Sequence, residues 1–171
     1  NASAFDLGAG CSGFVYALTV GKQFILSGMY KRVLIIGADE LSKVVDWSDR
    51  NTCILFGDGA GAVVIGITEE GKGILSESLG SDGEGGKFLN IPAGGSRMPT
   101  TLETVQGKYH YIKMDGSEVF KFAVRIMSKS CLESIEKSGY SIDQIDYLVP
   151  HQANIRIIES AAKKLDRKSV V

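Results

Sequence analysis

A chain of 171 residues with 44% hydrophobic and 23% charged side chains can bury a core, which excludes wholesale disorder. A net charge of −1 and a pI near 6.2 give no global attraction to nucleic acid or to an anionic membrane, and no apolar run is long enough to span a bilayer. The three cysteines, Cys11, Cys53 and Cys131, lack C-x-x-C spacing and leave one thiol over in any pairing; free thiols in a reducing, cytoplasmic setting are expected, without disulfides or a metal site.

Residues 2–7 predict a strand buried on both faces. Small residues follow, and 12–26 predict a helix with Val15, Leu18, Ile25 and Leu26 at helical spacing, closed by Ser27-Gly28. The continuous apolar run 33–37 is of the kind found in a central parallel strand, so the first forty residues read as a strand–helix–strand unit. A polar loop, 39–52, carries Asp46-Trp47-Ser48-Asp49-Arg50. Strands are predicted over 53–56 and 61–67, joined by the turn Gly57-Asp58-Gly59-Ala60. The pattern pauses at Thr68-Glu69-Glu70-Gly71, which predicts two units, 1–70 and 71–171.

A strand is predicted over 73–79, then a long glycine-rich loop over 80–107 and an edge strand over 108–114, where His110 reads as a satisfied strand residue. Asp115-Gly116-Ser117 starts a helix whose ladder of Val119, Ala123, Met127, Cys131 and Ile135 makes Cys131 a core residue. Cys53 reads as core within its apolar strand. Ser138-Gly139 ends the helix, 141–146 predict a capped turn, and 147–150 a strand with His151 at its carboxyl end. The last helix would carry Ile155, Ile158, Ala162 and Leu165 inside, with Arg156, Lys163 and Lys164 outside. The sequence opens in a strand pattern and closes on Ser169-Val170-Val171 in another, so it reads as the interior of a longer protein.

Three readings compete at Gly8-Ala9-Gly10-Cys11-Ser12-Gly13. A thiol at a helix N-terminus meets unpaired N–H groups and the positive end of the dipole, which favour thiolate and suit a nucleophile. The same residues fit G-x-G-x-x-G, and the next strand leads to Asp39 and Glu40, near where a dinucleotide fold places its ribose-binding acid. The third reading is packing alone. His151 tilts the balance: ligands of open α/β sheets sit beyond the carboxyl ends of strands, where Cys11 and His151 could share one cleft as a Cys–His pair. Gly57-Asp58-Gly59-Ala60-Gly61 lacks the Lys-Ser/Thr of a phosphate loop. Lys121, Arg156, Lys163 and Lys164 read as solvated helix faces, yet Arg156 and Lys163, seven apart, share a face near His151 that could receive an acidic partner.

Four segments then carry a resemblance. Asp6-Leu7-Gly8-Ala9-Gly10-Cys11-Ser12-Gly13-Phe14, Phe56-Gly57-Asp58-Gly59-Ala60-Gly61-Ala62-Val63, Gly116-Ser117-Glu118-Val119-Phe120-Lys121 and Pro150-His151-Gln152-Ala153-Asn154-Ile155-Arg156 resemble, in order, segments of the β-ketoacyl-acyl-carrier-protein synthase III family. The likeness runs over essentially the whole chain and displaces the dinucleotide reading. It implies an α/β thiolase-like fold, layered αβαβα in two similar halves and here incomplete at both ends. It also implies a Claisen condensation of a short acyl-CoA with malonyl-acyl-carrier-protein that starts fatty-acid synthesis without a cofactor. Cys11 would take the acyl group and His151 would stabilise the charge that decarboxylation creates. Arg50, Phe56, Gly116, Phe120, Ala153 and Asn154 would meet CoA or its pantetheine arm, and Lys121, Arg156, Lys163 and Lys164 the carrier protein. A cytoplasmic homodimer is implied too. The family's triad asparagine and glycine-rich oxyanion loop would lie past Val171, and Asn154 is not that asparagine. Alternatives are another condenser of this fold (a polyketide-type ketosynthase or hydroxymethylglutaryl-CoA synthase), a non-catalytic fragment or dimerisation partner, and a Cys–His hydrolase.

Overall fold

Residues 2–165 are described in the computed structural model. A 3-10 turn, Gly10–Ser12, leads directly into helix α1, Gly13–Leu26. Gly28, at φ +74°, turns the chain out of it with a backbone only glycine adopts cheaply. Strand β1, Arg32–Glu40, pairs with β2, Asp58–Gly66, in a nine-residue antiparallel ladder from Arg32 opposite Gly66 to Glu40 opposite Asp58. α1 lies on one face of that ladder, over Val33 and Ile35, and the outward face carries Leu34 and Ile36, 58% and 60% exposed. The predicted parallel unit is therefore replaced by an antiparallel pair. The apolar run 33–37 is buried on one face only, and residues 2–7 lie in no described ladder, with Phe5 and Leu7 exposed. α1 corrects its stripe as well: Gly21 and Ile25 are buried, whereas Val15 and Leu26 are exposed.

The strand predicted at 53–56 is a run of turns, and the turn predicted at 57–60 is mostly strand, since β2 begins at Asp58. Acidic side chains explain the exchange by bonding their own backbone a few residues on. Asp49 accepts from the Asn51 N–H through its carboxylate and from the Thr52 and Cys53 N–H groups through its carbonyl, which coils 49–53 out of any ladder. Cys53 is thus half-buried in a turn.

Beyond β2, 73–79 are irregular rather than a strand. Side chains bind them instead: Ser76 Oγ donates to the Ser134 carbonyl and Ser78 Oγ to Glu133, both at 2.6 Å. The predicted loop 80–107 holds a 3-10 helix, Gly83–Phe88, a short strand β3, Leu89–Asn90, and helix α2, Leu102–Gln106, which a Thr101/Thr104 capping box starts. Of the edge strand predicted over 108–114 only β4, Lys113–Met114, pairs, with β3. His110 sits in a turn, bonded through Nε2 to Thr104 Oγ1 at 3.0 Å.

Helix α3, Gly116–Ser138, follows its predicted bounds because both ends are signalled. Asp115 accepts from the Ser117 and Glu118 N–H groups, and Gly139 at φ +77° closes it. Its ladder is half-buried, and burial pushes the Cys131 thiol above its ordinary value. The capped turn becomes a 3-10 turn, Ile142–Gln144, with a Ser141/Gln144 box. Residues 147–150 lie in no strand among the described residues, and Tyr147 and Val149 are exposed. Helix α4, Ile155–Lys164, packs on α3 with Ile157, Ile158, Ala161, Ala162 and Leu165 buried. Ile155, predicted inside, is 64% exposed at the helix's open end. Residues 169–171 lie outside the described residues.

Polar contacts cross the predicted 70/71 boundary. Lys22 Nζ meets Glu77 at 2.8 Å, Tyr16 Oη donates to the Gly80 carbonyl, and the Ile112 N–H donates to the Val44 carbonyl.

Candidate active site

Cys11 occupies the 3-10 turn just ahead of α1, an exposed position in which the thiol itself is partly buried. Gly10 at φ +51° makes the bend that lifts the next residue onto the helix start. The Ser12 N–H closes the turn on the Ala9 carbonyl at 3.2 Å, the Gly13 N–H bonds the Gly10 carbonyl, and no side chain caps α1.

His151 follows Pro150 in the irregular segment before α4. Its carbonyl accepts from the Ala153 N–H at 2.9 Å, a tight turn that presents the imidazole. The ring lies close enough to Cys11 for each group to act on the other's titration. Hydrogen bonding to His151 is the main cause that holds the thiol below its ordinary value, and the imidazolium charge adds to it; partial burial and the Asp39 carboxylate push the other way. The same bond holds His151 above its ordinary value against its own partial burial. Both shifts favour a thiolate beside an imidazolium, the activated form of a cysteine nucleophile.

Asp39 earlier served only the dinucleotide reading. It stands on β1 opposite Gly59, two residues beyond Gly37, so the strand's period of two puts it on the face that α1 covers. Among the described residues the one partner of β1 is antiparallel, so no parallel strand–helix–strand unit of the kind a dinucleotide loop needs is formed there.

Arg50 is exposed on the turn-rich segment 46–55. That segment is held by a cluster the sequence reading missed. Asp46, 9% exposed, accepts from the Ser48 N–H and hydroxyl at 3.0 and 2.6 Å and from Lys108 Nζ at 3.0 Å, and Lys108 also donates to Ser48 Oγ at 2.8 Å. The Ser48 and Lys108 bonds pull the Asp46 carboxyl down to about 2. Asp46-x-Ser48 is a readable turn signal; Lys108, sixty residues on, is not.

Phe56 is half-buried just before β2, Gly116 is exposed at the first position of α3, and Phe120, 36% exposed, lies one turn along on the same face. Ala153 and Asn154 are exposed, and the Asn154 side chain caps α4 by accepting from the Arg156 N–H at 2.9 Å. Lys121 donates to Glu118 at 2.6 Å, a bond that raises its pKa. Arg156, Lys163 and Lys164 are exposed on α4. Among the described residues no cluster of three His, Cys, Asp or Glu could hold a metal ion. No described helix is long and apolar enough to cross a membrane.

The sequence profile of 3-oxoacyl-[acyl-carrier-protein] synthase III matches residues 5–83, and that of the C-terminal part of the same family matches residues 135–169; Cys11 falls in the first and His151 in the second. The chain is 58% identical to the β-ketoacyl-[acyl-carrier-protein] synthase III of Caldanaerobacter subterraneus subsp. tengcongensis over 96% of its own length and 50% of the relative's. The chain belongs to this synthase III family. It is also 56% identical to the synthase III of Clostridioides difficile, over 97% of the chain and 50% of that relative. The crystal structure of the synthase III from Thermus thermophilus superposes with a TM-score of 0.85 at 42% identity, over 97% of this chain and 51% of that one. The fold is the thiolase-like fold of the synthase III enzymes, and the chain spans about half the length of the curated relatives it matches.

Proposed function

We propose that the whole protein is a β-ketoacyl-acyl-carrier-protein synthase III that joins a short acyl-CoA to malonyl-acyl-carrier-protein. What supports this reading is the placement of His151 beside Cys11 at the start of α1, where each shifts the other's titration towards the charged form. The Cys11 thiolate attacks the acyl thioester; the new S–C bond forms, the C–S bond to CoA breaks, and CoA leaves with a proton. The malonyl group then loses carbon dioxide, and the carbanion attacks the acyl-cysteine, forming the C–C bond and releasing the Cys11 thiolate. In that half-reaction His151 donates a hydrogen bond to the malonyl thioester oxygen as charge builds on it.

Arg50, Phe56, Gly116, Phe120, Ala153 and Asn154 serve CoA and the pantetheine arm. For Asn154 this leaves the amide nitrogen, since its oxygen caps α4. Lys121, Arg156, Lys163 and Lys164 meet the acidic carrier protein, and their exposure on α3 and α4 supports this. A cytoplasmic homodimer belongs to the same reading; the open apolar face of β1 and β2, with Leu34, Ile36 and Val64, is the kind of surface that subunit contacts cover.

The test supplies acetyl-CoA and malonyl-acyl-carrier-protein and measures acetoacetyl-acyl-carrier-protein by mass. Cys11→Ala should abolish the product, and His151→Ala should lower it by roughly a hundredfold or more. Unchanged product with either variant would overturn the reading.

A further inference from the structure

Cys11 sits in an exposed position on a three-residue turn, with its thiol only partly buried. Its position is inherited from α1, and α1 meets the sheet through two glycines. Towards the far end, a Cβ on Gly21 would stand 2.8 Å from Ile35 Cδ1, 3.0 Å from Ile65 Cδ1 and 3.3 Å from Val33 Cγ1. At the near end the relation is reversed and the strand supplies the glycine. A Cβ on Gly37 would stand 3.3, 3.6 and 3.8 Å from Cδ2, Cβ and Cγ of Phe14, the second residue of α1. The seven residues from Phe14 to Gly21 span about 10 Å of helix, as do about three residues of strand, so α1 runs back along β1 with its first turn over Gly37.

We propose that Gly37 is a positioning residue for the nucleophile: the bare backbone there seats Phe14, and Phe14, three residues on from Cys11, sets the height at which the thiol meets His151. A Cβ at Gly37 would be tight only against Phe14 Cδ2, with Phe14 Cβ and Cγ at ordinary contact distance; the branched methyls of a valine would press further, onto the Phe14 Cβ and the helix behind it. The displacement passes into the backbone of α1 and so to the turn ahead of it. Across the ladder, Gly61 pairs with Gly37 but has nothing within 4 Å of its own missing Cβ. Two glycines in one rung therefore differ in what a side chain would strike. His151 and Asp39 are the charged groups that act on the thiol, so a shift in height changes its titration. The inference rests on the Cys11–His151 reading and adds the residue that holds the pair in register.

The experiment follows the pH dependence of Cys11 alkylation by iodoacetamide, resolved by peptide mass, in the whole protein. Gly37→Val should raise the midpoint by about one pH unit, an approximately tenfold slower reaction at pH 7. Gly37→Ala should shift it less in the same direction, and Gly61→Val should leave it unchanged. The double variant Phe14→Ala/Gly37→Val exchanges ring volume for valine volume and should restore it. A folded Gly37→Val with the parent midpoint overturns the inference, as does a double variant that fails to restore it. If Gly37→Val does not fold, Gly37→Ala decides by the same criterion. An ordinary thiol midpoint in the parent would overturn the Cys–His reading itself, whereas a lowered parent midpoint unmoved by Gly37 variants overturns only this inference.

Discussion

At the scale of the residue, the chemistry of Cys11 is a contest between neighbours of opposite sign. The His151 N–H stabilises the thiolate, while partial burial and the Asp39 carboxylate favour the neutral thiol. The thiol lies below its ordinary value and the imidazole above its own, so each shift favours the charged form of its group. As pH falls through the lowered thiol pKa the sulfur protonates; as pH rises through the raised imidazole pKa the partner charge is lost. Alkylation of Cys11 should therefore titrate below the usual thiol value of about 8.5, and His151→Ala should move it up towards that value. Asp39→Asn should move it further down, because the opposing charge is removed. A midpoint that rises in Asp39→Asn would contradict the assignment of that carboxylate. Cys11 was legible as a candidate from the small residues that lead into a helical pattern. Asp39 entered the sequence reading only through the dinucleotide alternative that motif order displaced, because its bearing on the thiol depends on α1 covering the Val33, Ile35 and Gly37 face of β1.

At the scale of the element, helices were easier to read than strands. Local chemistry ends a helix: Asp115 and Gly139 bound α3, and Asn154 starts α4, each within a few residues of the bond it makes. A strand needs a partner elsewhere in the chain; residues 2–7 lie in no ladder among the described elements, and of 147–150 only Leu148 forms a single bridge. Side chains that capture their own backbone decide the rest, as Asp49 does at 49–53. The Asp46–Ser48–Lys108 cluster shows the limit, since its lysine arrives from another loop. Lys108 sits at φ +55°, a conformation that costs about 1–3 kcal/mol for a side chain of this kind, and its bonds to Asp46 and Ser48 offset the strain. The Asp46 carboxyl is held down to about 2 from 3.8, so the stabilisation is full above the ordinary value and is lost as pH falls through the lowered one. Trp47, the chain's single tryptophan, is exposed on the same segment and reports on it. Its emission should hold steady from neutral pH to about 4, the ordinary carboxylate range, and change below. Asp46→Asn should show the changed emission already at pH 7. Matching emission in parent and variant at every pH would contradict the cluster's role.

At the scale of the whole molecule, the account joins two distant stretches of chain at one point. Cys11 and His151 are 140 positions apart in the sequence and fall under separate family profiles, yet the fold brings imidazole to thiol. The β1–β2 ladder under α1 and the α3–α4 pair are the frames that hold the two sides. Motif order made the family legible in the sequence, because four short segments in the right succession are more specific than any of them alone. The distance between the two side chains was not legible, since it depends on the height of α1 above Gly37 and on the turn at His151–Ala153. The most direct test of the central claim is the intact mass of the protein after incubation with acetyl-CoA, beside Cys11→Ala. The account predicts a single acetyl adduct that is absent from the variant. An adduct of equal extent in both proteins, or none in a folded parent, would contradict it.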